Sequence, residues 1–272
     1  MRGSSITFED YTVEDAFRFC AELGFRSVEP WKHHLKRCKT PELLQHFVEY
    51  ARALGIGVGG FNAVGETYFN PLGTDQEMEA TVEGLKADTE LALALGVHDV
   101  LIWEGVRPKG YTDAQCESTL LPRLIEMFRE MMKVATAKNV RFLAEPHPFT
   151  VGMNDHLAAK LCDALDSEHF GILYDCCHFG VGQPHDYIGA IKRLGPRIRH
   201  IHYADSDQKS SELHYVLGTG CLDLEGILRA FKDLGYRGTL THDLYGYPLP
   251  VQGTRQSLEA LRHAYEYLGI ED

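Results

Sequence analysis

No stretch of the chain holds more than five consecutive apolar residues, the longest running from Leu91 to Leu95. A helix that crosses a bilayer needs about 20, so none is expected. The chain has no C-x-x-C pair, and its seven cysteines are an odd number, which reads as free thiols in a reducing compartment rather than a disulfide framework. No G-x-G-x-x-G or P-loop pattern stands at a strand–helix junction, so the open nucleotide-binding sheets lack their signature. Positive charge is scarce: 27 Lys and Arg face 39 Asp and Glu, a formal charge of −12. Nucleic-acid affinity rests on cations meeting phosphates, so a polyanionic partner is not expected. Residues 1–20 carry Glu9, Asp10, Glu14 and Asp15, which do not suit a secretory signal. No low-complexity stretch or Pro/Gly linker divides the chain. The expectation is one domain over 1–272, soluble and cytoplasmic, with no membrane partner.

What is present is alternation. The chain has 272 residues, of which 44% are apolar, and about 250 residues is typical of a single (β/α)8 barrel. A strand near Ser5–Phe8 precedes a helix over 12–23. Ser27 to Pro30 ends a second strand, followed by a helix from Pro41 to Leu54. Residues 55–62 form a third strand, before a long helix with Met78, Val82, Leu85 and Leu95. Val97 to Trp103 is the fourth, and Leu120, Leu124, Phe128, Met131 and Ala135 then recur at helical spacing. Val140 to Glu145, Gly171 to Asp175, Ile198 to Tyr203 and Thr239 to Asp243 are strands five to eight. Leu224, Ile227, Leu228 and Phe231 give the seventh helix its apolar face, and 254–268 the eighth. Eight repeats in parallel order favour an α/β fold closed as a (β/α)8 TIM barrel.

Four of these strands run out in metal-type side chains: Glu145 and His147, Asp175 and His178, His200 and His202, and Asp243. Barrel active sites gather at the C-terminal ends of the strands. Two or three carboxylates with one or two histidines suit a hard or borderline divalent cation, Mn²⁺ or Mg²⁺ before Zn²⁺. Glu145 has prolines on both sides of His147 behind it, a rigid setting for a ligand or base. His200 and His202 share one side of their strand because side chains alternate. His202, nearer the end, is the better ligand, and His200 lies a layer deeper as a core histidine. His242 should face the helices. Each position alone also reads as an ordinary solvated acid or turn residue; their coincidence on four strand ends is what points to metal-assisted chemistry.

In order and surroundings these residues resemble the xylose isomerase-like TIM barrels, the group of sugar phosphate isomerases and epimerases. The segment Ala21 to Glu29 is similar to that family's early helix–strand signature, and Leu217 to Leu224 to its strand-seven loop. The resemblance implies that Glu145, Asp175, His202 and Asp243 hold the metal, Mn²⁺ first with Mg²⁺, Co²⁺ or Zn²⁺ compatible. It places His178 and His147 against the substrate. Two positions depart from the pattern. The ketose epimerases carry glutamate where Asp243 stands and use two glutamates as acid and base; several relatives carry a lysine where Ala204 stands.

The reaction this implies is proton abstraction beside a carbonyl, with a metal stabilising the enediolate and Glu145, with Asp243, moving the proton. The expected outcome is isomerisation or epimerisation of a keto-sugar or polyol. A dehydratase or eliminating lyase acting on an inosose, keto-acid or 3-oxo-glycoside is the alternative, and an endonuclease IV-like phosphoesterase is disfavoured by the charge. Trp103, Glu212 and His214 complete the expected substrate-contacting set, and Trp31, His33, His34, Glu104 and Arg107 are candidates for the barrel mouth. Glu212, His214 and His178 also match a second-metal set of the endonuclease IV group, although Asn62 and Trp103 replace its strand-three and strand-four histidines. Cys176 and Cys177 read as packed thiols. Gly218-Thr219-Gly220 before a helix could cradle a phosphate. A homo-oligomer is compatible with the sequence.

Overall fold

Apolar runs that stop after a few residues at Gly, Pro or a charged side chain make short strands, and short strands alternating with amphipathic helices make a barrel. The computed structural model describes residues 1–37, 41–65 and 69–270. Among them the barrel strands are β1 (Arg2–Ser4), β2 (Ser27–Glu29), β3 in two pieces (Gly57–Val58 and Phe61–Asn62), β4 (Asp99–Ile102), β5 (Arg141–Ala144), β6 (Phe170–Asp175), β7 (Ile198–Tyr203) and β8 (Thr239–His242). The longer helices follow them in turn: α1 (Val13–Glu22), α2 (Pro41–Ala53), α3 (Asp75–Ala94), α4 (Leu121–Lys138), α5 (Asp155–Leu165), α6 (Tyr187–Leu194), α7 (Leu224–Asp233) and α8 (Pro250–Leu268). Every strand pair is parallel, and β1 pairs with both β2 and β8. The two pieces of β3 have different partners. Gly57 and Val58 pair with β2, while Phe61 and Asn62 pair with β4, and so the cylinder closes.

The first strand differs from the sequence expectation. It is Arg2–Ser4, and Ser5–Phe8 is a turn of 3-10 helix, buried throughout. Ile6 and Phe8 alternate with polar residues and so imitate a strand. Ser5 instead turns its hydroxyl to the neighbouring strand end, where Oγ accepts from the Trp31 amide at 2.8 Å. The third strand is interrupted at Gly59-Gly60, and the eighth stops at His242 rather than Asp243. No helix among the described residues is long and apolar enough to cross a membrane.

Alternation sorts each strand between two environments. Val28, Ile102, Phe142, Tyr174, Ile201 and Leu240 face outward into one core shared with Phe17, Phe128 and Phe231 of the helices. A side chain of that size contributes about 1.5–3 kcal/mol when fully buried. The inward residues divide in two. Leu101, Leu143 and Leu173 form a separate apolar cluster, whereas Glu29, His200, His202 and Thr241 fill the other half with buried polar groups. That polar half lies directly beneath the strand ends of β6 to β8.

Candidate active site

Because Leu143, Leu173, His200 and Thr241 point inward, so do the residues two places on: Glu145, Asp175, His202 and Asp243. All four are buried. His202 Nδ1 stands 2.9 Å from Glu145 Oε1, 3.2 Å from Asp243 Oδ2 and 3.7 Å from Asp175 Oδ2, without hydrogen-bond alignment to any of them. Asp175 Oδ2 and Asp243 Oδ1 are buried with no hydrogen-bond partner either. Asp175 spends its other oxygen as the cap of a short helical turn, Cys176–Gly182, accepting from the His178 amide at 2.7 Å. That turn brings His178 Nδ1 to 3.8 Å from Asp175 and 3.9 Å from Glu145.

The charges do not balance. Burial works against ionising Glu145, but the charge of the adjacent His202 brings its pKa below the usual value. Burial likewise opposes Asp175, and the charges of His214 and His202, with the hydrogen bond from the His178 amide, bring it down. Burial pushes Asp243 up to about 7, against the opposing charges of His202 and His214. Burial opposes a charge on His202, but Glu29 and Glu145 hold its pKa well above the usual one. Burial leaves His178 neutral, its pKa lowered to about 4. Three carboxylates around one imidazole, with orphaned oxygens, make an oxygen-rich donor set that a divalent cation would neutralise. One ligand atom each from Asp175, His202 and Asp243, and likewise from Glu145, Asp175 and His178, lies within 4.8 Å of the others.

A cavity of about 290 Å³ opens above this cluster. Glu145, Asp243, His178 and His214 line its floor; Trp31, Trp103, Phe149 and Tyr245 line its walls; and His147 and Glu212 close one side. His147 Nε2 is 3.1 Å from Glu212 Oε1, and that hydrogen bond lowers the Glu212 pKa to about 2. The His147 ring packs between Phe149 and His178, at 4.0 and 4.4 Å between centroids. His214 donates from Nδ1 to the Asp243 carbonyl oxygen at 3.0 Å.

A family model for xylose isomerase-like TIM barrels matches residues 17–264. The chain belongs to that family. Fructoselysine 3-epimerase of Escherichia coli O157:H7 is 24% identical over 268 residues, covering 92% of each chain. Among solved structures, a D-tagatose 3-epimerase-like protein superposes with a TM-score of 0.79 at 20% identity, covering 98% of this chain and 97% of its own. An IolI protein with a bound zinc atom gives 0.79 at 18% identity, covering 98% of both.

In this xylose isomerase-like barrel several other expectations need revision. Glu212 turns to His147, and no cluster of Glu212, His214 and His178 with cation-holding geometry forms among the described residues. Arg107 does not face the cavity; it binds the Tyr111 carbonyl and pairs with Asp113. Glu104 lies behind the mouth rather than in it. It is buried, accepts from the Gly152 amide at 2.5 Å, and is raised by burial to about 7. The glycine loop holds an anion already. The Asp205 carboxylate accepts from the amides of Ser206, Gly218, Gly220 and Leu222 at 2.8–3.1 Å, which leaves that nest no room for phosphate. Cys176 and Cys177 are buried, and Cys177 Sγ lies among Ser206 Oγ and the carbonyls of Ser210 and Leu213. His242 faces outward, stacking near Phe25. Phe149 and Tyr245 were not singled out from the sequence, and neither was Glu29 as a partner of His202.

Proposed function

We propose that the chain is a divalent-cation-dependent isomerase or epimerase of a keto-sugar or related polyol. The observation that carries this is the convergence of Glu145, Asp175 and Asp243 on His202 Nδ1 at the bottom of an aromatic-walled cavity whose floor Glu145 and Asp243 reach. Those four residues would hold the cation, with Mn²⁺ proposed first and Mg²⁺, Co²⁺ or Zn²⁺ fitting the same donors. When bound, the cation supplies Lewis acidity toward a carbonyl oxygen. Glu145 takes the proton from the neighbouring carbon, since it is anionic, buried and open to the cavity. His178, neutral at working pH, hydrogen-bonds the substrate oxygens as charge develops. His147, His214 and Glu212 orient hydroxyls, and Trp103 offers its face to the carbon skeleton. The names of the relatives support the substrate class.

Asp243 favours a second reading. It is drawn to 3.2 Å from His202 Nδ1, and its short arm suits ligation better than reaching the far face of a substrate carbon. One-face proton removal followed by loss of a β-hydroxyl would make the enzyme a dehydratase or lyase. The test is incubation of Mn²⁺-loaded protein in D₂O with a panel of ketoses, inososes and 3-oxo-glycosides. Deuterium uptake at one carbon with product of unchanged formula supports isomerase or epimerase chemistry, and water loss supports the lyase. The absence of both exchange and water loss in every member would overturn both.

A further inference from the structure

Beneath the proposed cation site lies a layer of the barrel that no substrate reaches. Glu29, from β2, is fully buried there. Its Oε1 accepts a hydrogen bond from His202 Nε2 at 3.0 Å. Its Oε2 accepts from Thr241 Oγ1 at 3.1 Å and lies 3.0 Å from His200 Nε2. One carboxylate thus ties β2 to β7 and β8. Gly60 packs against it: it sits at φ +132°, and a Cβ there would touch Glu29 Oε2 at 3.4 Å.

A carboxylate can only accept hydrogen bonds. The bonded nitrogen of His202, Nε2, must therefore carry a proton. When the ring is neutral its lone pair is then on Nδ1, the atom that faces Glu145, Asp243 and Asp175. We infer that Glu29 is the positioning residue of the cation site, fixing which nitrogen of His202 binds the cation and how the ring is turned. This rests on His202 being a ligand. His200 is placed differently. Its Nε2 is close to Glu29 but off the line of a hydrogen bond, and its Nδ1 meets Thr239 Oγ1. It packs against the carboxylate without setting His202.

The experiment is Zn²⁺ titration of the chelator-stripped full chain in competition with a chromophoric chelator, alongside circular dichroism for folding. Glu29→Met removes the acceptor at similar volume and should weaken Zn²⁺ binding by about 10–100-fold. Glu29→Gln, which keeps an acceptor oxygen, should recover most of that loss, and His200→Gln should bind nearly as wild type. Equal losses in Glu29→Met and His200→Gln, or unchanged affinity in folded Glu29→Met, would overturn the inference. A measurement on the wild type needs no variant. In ¹⁵N-histidine-labelled, Zn²⁺-loaded protein the His202 signal, identified by its loss in His202→Gln, should show a proton on Nε2. A proton on Nδ1 would refute it. A wild type that takes up no Zn²⁺ would sink the cation-site reading and this inference together, whereas Zn²⁺ uptake unaffected by Glu29→Met sinks the inference alone.

Discussion

Asp243 is the side chain that separates the two proposed reactions. It is one methylene shorter than glutamate and already committed to the cluster around His202. Asp243→Glu should raise or keep activity if the native enzyme is an epimerase limited by reach. The same variant should lower the rate if the site is tuned to aspartate for isomerisation or elimination; turnover of the best substrate from the D₂O panel decides. His202→Ala should lose most bound metal by elemental analysis while the barrel stays folded, because the residue sits at the end of its strand. Glu145→Gln should instead abolish deuterium uptake even in metal-containing protein, since an amide cannot take the proton. These residues were legible in the sequence because each ends a strand, and alternation then dictates that all four point inward. Glu29 was not. Its partners lie more than 170 residues away, and nothing local distinguishes it from any acid at the end of a strand.

At the scale of an element, two buried carboxylates hold loops. Asp205→Ala would leave the amides of Gly218, Gly220 and Leu222 without their acceptor, and should cost about 3 kcal/mol in urea denaturation. The sequence shows the glycine-rich nest but not the anion 13 residues earlier that fills it. Glu104 grips the loop after β5 through the Gly152 amide. Its pKa is raised from 4.5 to about 7, so its ionised form is disfavoured in the folded state. The stability tied to its protonated form is intact below pH 4.5 and is lost as pH rises through 7. Glu104→Gln should therefore match the wild type near pH 4.5 and exceed it by on the order of 3 kcal/mol at pH 8, measured by urea denaturation at the two values. Strands two and four to eight were legible because apolar runs end in polar residues. β1 was misplaced because Arg2-Gly3-Ser4 carries no apolar signal, while Ile6 and Phe8 next to it do.

For the whole molecule, strand order and parallel direction follow from repeated strand–helix units and were readable from the chain. How the circle is completed was not, since that depends on Gly59-Gly60. Only two residue pairs join the first piece of β3 to β2, and two more join the second piece to β4, whereas β6 and β7 share four pairs despite a register shift. β1 and β8 also share only two pairs, but the third strand is thinly joined on both sides and broken between them by Gly59-Gly60, so thermal breathing of this barrel should begin there. In native-state hydrogen exchange the amides of Val58 and Phe61 should trade with solvent sooner than those of Leu173 and Ile201. Since Gly60 lies against Glu29, each such excursion would also admit water to the floor beneath His202, so that the barrel's first leak and its deepest polar layer share one address.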